Sequence, residues 1–357
     1  MTYGYLKILR IEMASEDKRS SDSDNEDQDN VVKPKSILFP KRGSVLEEAK
    51  RKGREALRKQ KEEEKKKQLE QQQQQRQQNE DEDDSDVDYL FNQLTKMTFS
   101  NKPDLIEGTG LIYDEKQTAH KHLWDPNFPE RPERITEPFK RCYELGLVDR
   151  CVRIPVQYGT EDQVLLQHAQ ELLDKIKSTT TMSKEELAKI TQQYDSVYFN
   201  NSTYECALLS LGSVVELMEQ ILKKTIRNGL AFVRPPGHHA MNNEFCGYCF
   251  FNNVAIAAKH AVDDLGLKRV LIVDFDVHHG QATQYMFYND PRVLYFSIHR
   301  YEYGEFWPNL RESDYDFIGE GDGKGYNINV PLNKTGMKDS DYLAIFHQIP
   351  FTCSTSV

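Results

Sequence analysis

The chain has 357 residues, 38% hydrophobic and 29% charged, with a formal net charge of −11. The acidic balance argues against direct binding of nucleic acid, because phosphate contacts require an excess of Lys and Arg. No run of about 18 apolar residues occurs, so we expect no membrane-spanning helix and no membrane partner. Without a secretory signal, the six cysteines are expected to be reduced thiols, which places the protein in the cytoplasm and possibly also in the nucleus.

Residues 1–104 are rich in charge and poor in apolar side chains, and residues 71–78 are almost entirely glutamine. Such a composition cannot bury enough apolar area to offset the entropy of ordering, so we expect a disordered leader. Near its end, four apolar residues have nearly helical spacing. They could form either a docking face or a helix on the domain surface: Leu90, Leu94, Met97 and Phe99.

From residue 105 to residue 349 the pattern is typical of a packed domain. Thr160 and Gln163 form a capping-box pattern that predicts a helix through about residue 177, and Ser183 with Glu186 predicts another. Residues 203–224 have the periodicity of a long helix. These helices alternate with apolar strands, so the predicted elements indicate an α/β protein.

Four short apolar runs are typical of buried strands, with a helix predicted at residues 253–264 between the first two: residues 230–233, 269–274, 293–298 and 326–330. Fully apolar strands that alternate with helices favour a mainly parallel sheet flanked by helices on both faces. In such a sheet, ligands bind beyond the carboxyl ends of the strands.

Two histidine-rich turns directly follow two of these strands. In the second turn, Asp276 and His278 are separated by one residue, so in an extended segment both side chains face the same way. A carboxylate with an imidazole suits Zn²⁺, and Fe²⁺ or Mn²⁺ less well. Zinc would lower the pKa of a bound water to about 7 and polarise a carbonyl. Asp274 lies two residues earlier and could orient a histidine.

The first turn places His238 and His239 after Pro235-Pro236-Gly237, a rigid sequence that restricts their direction. A tandem pair near a metal can supply a general base and a general acid for hydrolysis. A lone histidine would more often satisfy a buried hydrogen bond. Two such pairs at two strand ends favour the functional interpretation.

Aromatic residues near these turns could form a narrow slot for an alkyl chain, with Gly247 and Tyr248 on one side and Trp307 on the other. Ordinary core and loop packing explains the same residues equally well.

Together the motifs resemble those of the zinc-dependent histone deacetylases, which have the arginase/deacetylase fold. The resemblance extends from about residue 108 to residue 349, and its details are similar to class IIb, in particular the first catalytic domain of the tandem-domain tubulin and histone deacetylase type. The motifs that carry it are residues 122–125, 128–134, 234–240, 274–280 and 294–301.

The resemblance implies a role for each site residue. Asp276 and His278 match two of three zinc ligands, His238 matches the histidine bound by Asp274, and His239 matches the general base. The channel for the acetyl-lysine side chain would be lined by Gly247, Tyr248 and Trp307. Gln281 stands where class I members have a second orienting aspartate. Implied substrates are acetylated proteins, namely histone tails and tubulin.

The family's third zinc ligand and its carbonyl-polarising tyrosine have no counterpart in this sequence, and residues 350–357 resemble nothing in the family. We therefore expect a C-terminally truncated domain with an incomplete zinc site. Loss of such a transition-state donor costs about 10²–10³ in rate, so the chain alone should have little or no activity. The alternative is a non-catalytic interaction or regulatory fragment. An arginase-like ureohydrolase is disfavoured by the Pro-Pro-Gly-His-His motif.

Overall fold

The computed structural model describes residues 108–348, so the predicted leader, the 90–99 stripe and residues 350–357 lie outside the described residues. The strands are β1 Thr109–Tyr113, β2 Cys151–Arg153, β3 Asn228–Phe232, β4 Val270–Asp274, β5 Val293–Arg300 and β6 Asn327–Leu332. The helices are α1 Glu133–Glu144, α2 Glu161–Val164, α3 Gln170–Ser178, α4 Lys184–Thr191, α5 Thr203–Leu222, α6 Asn253–Asp263, α7 Gln281–Phe287 and α8 Asp339–Gln348. Short 3₁₀ segments are Glu115–Ala119, Val148–Arg150, Thr179–Thr181, Glu302–Gly304, Arg311–Ser313 and Gly321–Gly323.

The strands form two three-stranded sheets, ordered β2-β1-β3 and β4-β5-β6, in which every pairing is parallel. This agrees with the parallel arrangement predicted from the apolar strands. In the described region the strands at 228–232, 270–274, 293–300 and 327–332 correspond to the four predicted ones. None of the described helices is both long and apolar enough to cross a membrane.

The predicted helix from residue 160 to about residue 177 is wrong in one respect, because the chain forms two helices there. Thr160 and Gln163 do make the reciprocal capping box that starts α2. Helix α2 ends at Val164, and His168 is buried shortly after it. The His168 Nδ1 bonds the Met241 carbonyl oxygen at 2.9 Å, and its Nε2 accepts the Asn252 backbone N–H at 2.9 Å. These tertiary bonds outweigh the local helix preference.

Helices α5 and α6 pack together in the largest core cluster, and both contribute hydrogen bonds that hold the first histidine turn. The Ser210 hydroxyl on α5 donates to the Pro235 carbonyl at 2.9 Å. The Asn253 amide at the start of α6 donates to the Ser210 oxygen at 2.9 Å. Because all three residues are at least largely buried, the turn after β3 is attached to the core on this side.

A buried ion pair attaches the same turn to the segment before α1. Arg234, directly after β3, donates Nε and Nη2 to the two carboxylate oxygens of Glu130 at 2.6 and 2.7 Å. Both side chains are at most 1% exposed. The Tyr198 hydroxyl joins the pair, 2.6 Å from Arg234 and 2.5 Å from Glu130. Arg234 Nη1 also donates to the Gln117 carbonyl at 2.9 Å.

We predict that Glu130→Gln lowers the free energy of unfolding by about 3–5 kcal/mol, because the buried guanidinium would lose its counter-charge. Urea denaturation followed by circular dichroism measures the change. The matched control is Glu133→Gln, which removes a carboxylate about half exposed and 3.7 Å from Arg131, and should change stability by less than about 1 kcal/mol. Equal effects of the two substitutions would contradict the assignment.

Candidate functional site

A cavity of about 340 Å³ lies at the carboxyl ends of β3 and β4. Its lining includes the last residues of both strands, both histidine turns and the three predicted slot residues. All eight sequence-predicted site residues therefore border one cavity: His238, His239, Gly247, Tyr248, Asp274, Asp276, His278 and Trp307. This is the position where parallel α/β sheets bind ligands.

His238 is held by the carboxylate of Asp274, with Nδ1 2.9 Å from Oδ2. The same oxygen accepts the Tyr295 hydroxyl at 3.1 Å. Gly280 permits this close packing, because a Cβ there would lie 2.4 Å from Asp274 Oδ2 and 2.9 Å from His238 Nδ1. Burial disfavours the imidazolium form, but Asp274 outweighs burial and raises the pKa of His238 to about 9.

His239 has a neutral partner instead. Its Nδ1 lies 2.7 Å from Oε1 of Gln281, in the first turn of α7. A carbonyl oxygen can only accept, so Nδ1 carries the proton and Nε2 keeps its lone pair. Burial and the neighbouring His238 hold the pKa of His239 well below its usual range. The two ring centroids are 3.8 Å apart, so the pKa values of two adjacent histidines are shifted in opposite directions.

Asp276 and His278 come together although the segment after β4 is bent rather than a regular strand. Asp276 Oδ1 lies 3.2 Å from His278 Nδ1 and accepts the His278 backbone N–H at 2.8 Å. Burial opposes ionisation of Asp276, but its bonds to His278 and the charge of His238 together lower its pKa.

The Asp276–His278 pair fits one metal ion. Two ligands at 2.0–2.1 Å from tetrahedral zinc would be about 3.3 Å apart, close to the observed 3.2 Å. Within residues 108–348, however, no group of three or more His, Cys, Asp or Glu side chains could hold a metal together. Asp276 and His278 are thus the two site residues in the described part of the chain whose spacing suits a shared metal ion.

Gly247 and Tyr248 form a tight turn on the cavity wall, with φ of 53° and 72°. Tyr248 is half-buried, whereas Gly247 is buried between His239 and the tip of Trp307. The Trp307 ring lies edge-on to His239 with centroids 4.6 Å apart. The structure thus brings the three predicted slot residues to the histidine pair.

Sequence reasoning missed two residues that hold this site. Asp195 bonds the indole of Trp307 at 2.8 Å, and Tyr295 bonds Asp274. Asp195 lies in a loop with no periodicity or motif, so its sequence carried no signal. Tyr295 lies within the apolar run of β5, which indicates core packing rather than a hydrogen bond.

A family model and several known proteins match most of this sequence. A model of the histone deacetylase domain matches residues 128–355. The chain is 49% identical over 247 residues to polyamine deacetylase HDAC10 of Danio rerio, covering 69% of this chain and 37% of that protein. It is 40% identical over 262 residues to histone deacetylase HDA1 of Candida albicans, covering 68% of this chain and 31% of that protein.

Among solved structures, the crystal structure of the HDA15 HD domain superposes with a TM-score of 0.64 at 31% identity, over 70% of this chain and 69% of that chain. The matched region spans less than half the length of either of the two relatives named above.

We predict that Gly247→Ala is more destabilising than Gly266→Ala. Both glycines have positive φ, 53° and 71°, so the backbone strain is similar. A Cβ at Gly247 would lie 2.6 Å from His239 Cδ2 and 2.8 Å from Trp307 Cη2, whereas Gly266 has nothing within 4 Å. Thermal unfolding should show an extra loss of about 1–3 kcal/mol for Gly247→Ala. Equal losses of stability in the two variants would mean that His239 and Trp307 move to accommodate the new Cβ at no energetic cost.

Proposed function

Because the chain belongs to the histone deacetylase family, we propose that its cavity hydrolyses the acetyl amide of acetylated lysine side chains in proteins. The family match agrees with the predicted α/β fold of parallel strands flanked by helices. One observation carries the proposal: a neutral, buried His239 faces the same cavity as the Asp276–His278 pair.

The channel walls suit an uncharged, acetylated alkyl chain. Gly247 allows the chain to pass close to the backbone, and the rings of Tyr248 and Trp307 border the same cavity. A protonated lysine would lose its hydration between the Gly247-Tyr248 turn and the Trp307 ring, whereas the acetylated form carries no charge to desolvate. The walls therefore favour acetyl-lysine over the deacetylated product.

The two histidines take different roles by their charge. His239 Nε2 has a free lone pair and accepts a proton from the attacking water as the general base. His238, held protonated by Asp274, stabilises negative charge on the reacting carbon's oxygen and can donate a proton to the leaving amine. The opposed pKa directions of adjacent groups support this division of roles.

Asp276 and His278 are the residues that would hold zinc. Zinc, when bound, would polarise the acetyl carbonyl and promote ionisation of water at neutral pH. Because no group of three or more possible metal ligands comes together within residues 108–348, we expect zinc affinity below that of a complete three-ligand site. The proposed turnover of this chain alone is correspondingly low, and a non-catalytic interaction fragment is the alternative outcome.

We propose acetylated proteins such as histone tails and tubulin as substrates, in the cytoplasm and possibly the nucleus. We also propose a class IIb relationship, in which the sequence from residue 247 to residue 252 and the Phe306-Trp307-Pro308 segment favour the first catalytic domain of the tandem-domain type over the second. The relative HDAC10 is named a polyamine deacetylase, so acetylated polyamines are the competing substrate class for this site.

The direct test is acetate release by the zinc-loaded full chain from an acetyl-lysine peptide and, separately, from an acetylated spermidine. We expect slow release from the peptide and a further fall of about 10²–10⁴ in His239→Ala, because the general base is lost. Asp174→Ala, on helix α3 and outside the cavity lining, is the control, and its acetate release should equal that of the wild type. Faster acetate release from acetylated spermidine than from the peptide would favour polyamines as the substrate class. No release from either compound would favour the non-catalytic alternative.

We predict that Asp276→Ala and His278→Ala each weaken zinc binding, measured by competition with a chromophoric chelator. Loss of an outer partner of a metal ligand already costs about 10–100-fold in affinity, so removal of a ligand should cost at least as much. Asp174→Ala again serves as the control. Unchanged affinity in either site variant would remove that residue from the metal site.

A further inference from the structure

We propose that Asp195 is a positioning residue that joins the two walls of the channel and holds the indole of Trp307 in place. The inference deepens the proposed function and rests on it for the identity of the substrate. The contacts themselves stand on the described geometry. No sequence motif pointed to Asp195.

Each oxygen of the Asp195 carboxylate accepts one hydrogen bond. Oδ2 accepts the indole Nε1–H of Trp307 at 2.8 Å, and Oδ1 accepts the hydroxyl of Ser196 at 2.9 Å. A hydrogen bond to an ionised acceptor is stronger than one between neutral groups. The contact uses the only polar group of the Trp307 side chain, its indole N–H, which can only donate.

The main chain of the same two residues holds the other wall. The Asp195 carbonyl accepts the Gly247 N–H at 3.0 Å, and the Ser196 carbonyl accepts the Tyr248 N–H at 2.9 Å. Ser196 and Tyr248 both have positive φ, at 54° and 72°, a conformation that non-glycine residues rarely adopt. The paired loops therefore support each other in a strained geometry.

The two sets of contacts meet at one residue, so Asp195 determines the distance between the Gly247-Tyr248 turn and Trp307. The indole in turn contacts the reacting groups. Its ring lies at 90° to His239 and at 83° to His278, with centroids 4.6 and 5.5 Å away. Rotation of a released indole would change both the channel width and the packing against the general base.

Asp195 is exposed, so burial does not constrain its side chain. What constrains it is the pair of bonds to Trp307 and Ser196. This arrangement distinguishes Asp195 from a residue that acts on the substrate directly: its effect should pass through Trp307. The distinction can be measured by combining substitutions at the two positions.

The first measurement needs no activity. The chain has two tryptophans, so a Trp124→Phe background leaves Trp307 as the single fluorophore. We expect Asp195→Ala to lower the fluorescence anisotropy of Trp307 because the indole is released. Asp195→Asn should keep the wild-type anisotropy, because its amide oxygen still accepts the N–H. Asp174→Ala should change nothing. Equal anisotropy in Asp195→Ala and wild type would overturn the proposal.

The second measurement is a double-mutant cycle on binding of an acetyl-lysine peptide, followed by calorimetry. We expect Asp195→Ala to weaken binding about 3–10-fold in the wild type and less than about twofold in the Trp307→Phe background, which has no indole N–H. An equal loss in both backgrounds would show that the carboxylate contacts the peptide directly, and would overturn the proposal. A wild type that binds no peptide would refute the proposed substrate, whereas the anisotropy result would still decide the role of Asp195.

Discussion

The buried ion pair between Arg234 and Glu130 is the constraint on which the site depends. A buried charge is tolerated only when its counter-charge and hydrogen bonds are all in place. Arg234 satisfies this with three nitrogen atoms, two on Glu130 and one on the Gln117 carbonyl. The end of β3 is therefore fixed to within hydrogen-bond distances relative to the segment before α1. His238 follows only four residues later, so its position derives largely from this pair.

The chemistry of the histidine pair follows from the atom that each Nδ1 meets. The Asp274 carboxylate that bonds His238 favours its imidazolium form. The Gln281 amide oxygen that bonds His239 carries no net charge and so does not favour the imidazolium in the same way. His239 is buried and His238 is largely buried, so desolvation disfavours the charged form of both rings. Asp274 outweighs burial at His238, whereas Gln281 does not outweigh burial and the charge of His238 at His239, so the two pKa values shift in opposite directions. This separation lets one ring donate while its neighbour accepts.

Local signals in the sequence predicted the elements well and their tertiary contacts poorly. The capping boxes at Thr160 and Ser183 form as predicted. The break that buries His168 could not be read locally, because its partners lie more than 70 residues away. The same holds at the site. Because the two histidine turns follow parallel strands, the sequence predicted that His238 and Asp276 would lie at one site. The role of Asp195, in contrast, depends on a hydrogen bond to Trp307, 112 positions later.

The site is also distributed over two sheets, which explains why neither histidine turn is sufficient by itself. The first turn follows β3 in one sheet and the second follows β4 in the other. His239 and the Asp276–His278 pair approach each other only because both strands end at one cavity. A shift of one sheet against the other would leave each motif intact and still separate His239 from Asp276. Function in this domain therefore depends on the contacts that fix the two turns relative to each other, more than on the histidine motifs themselves.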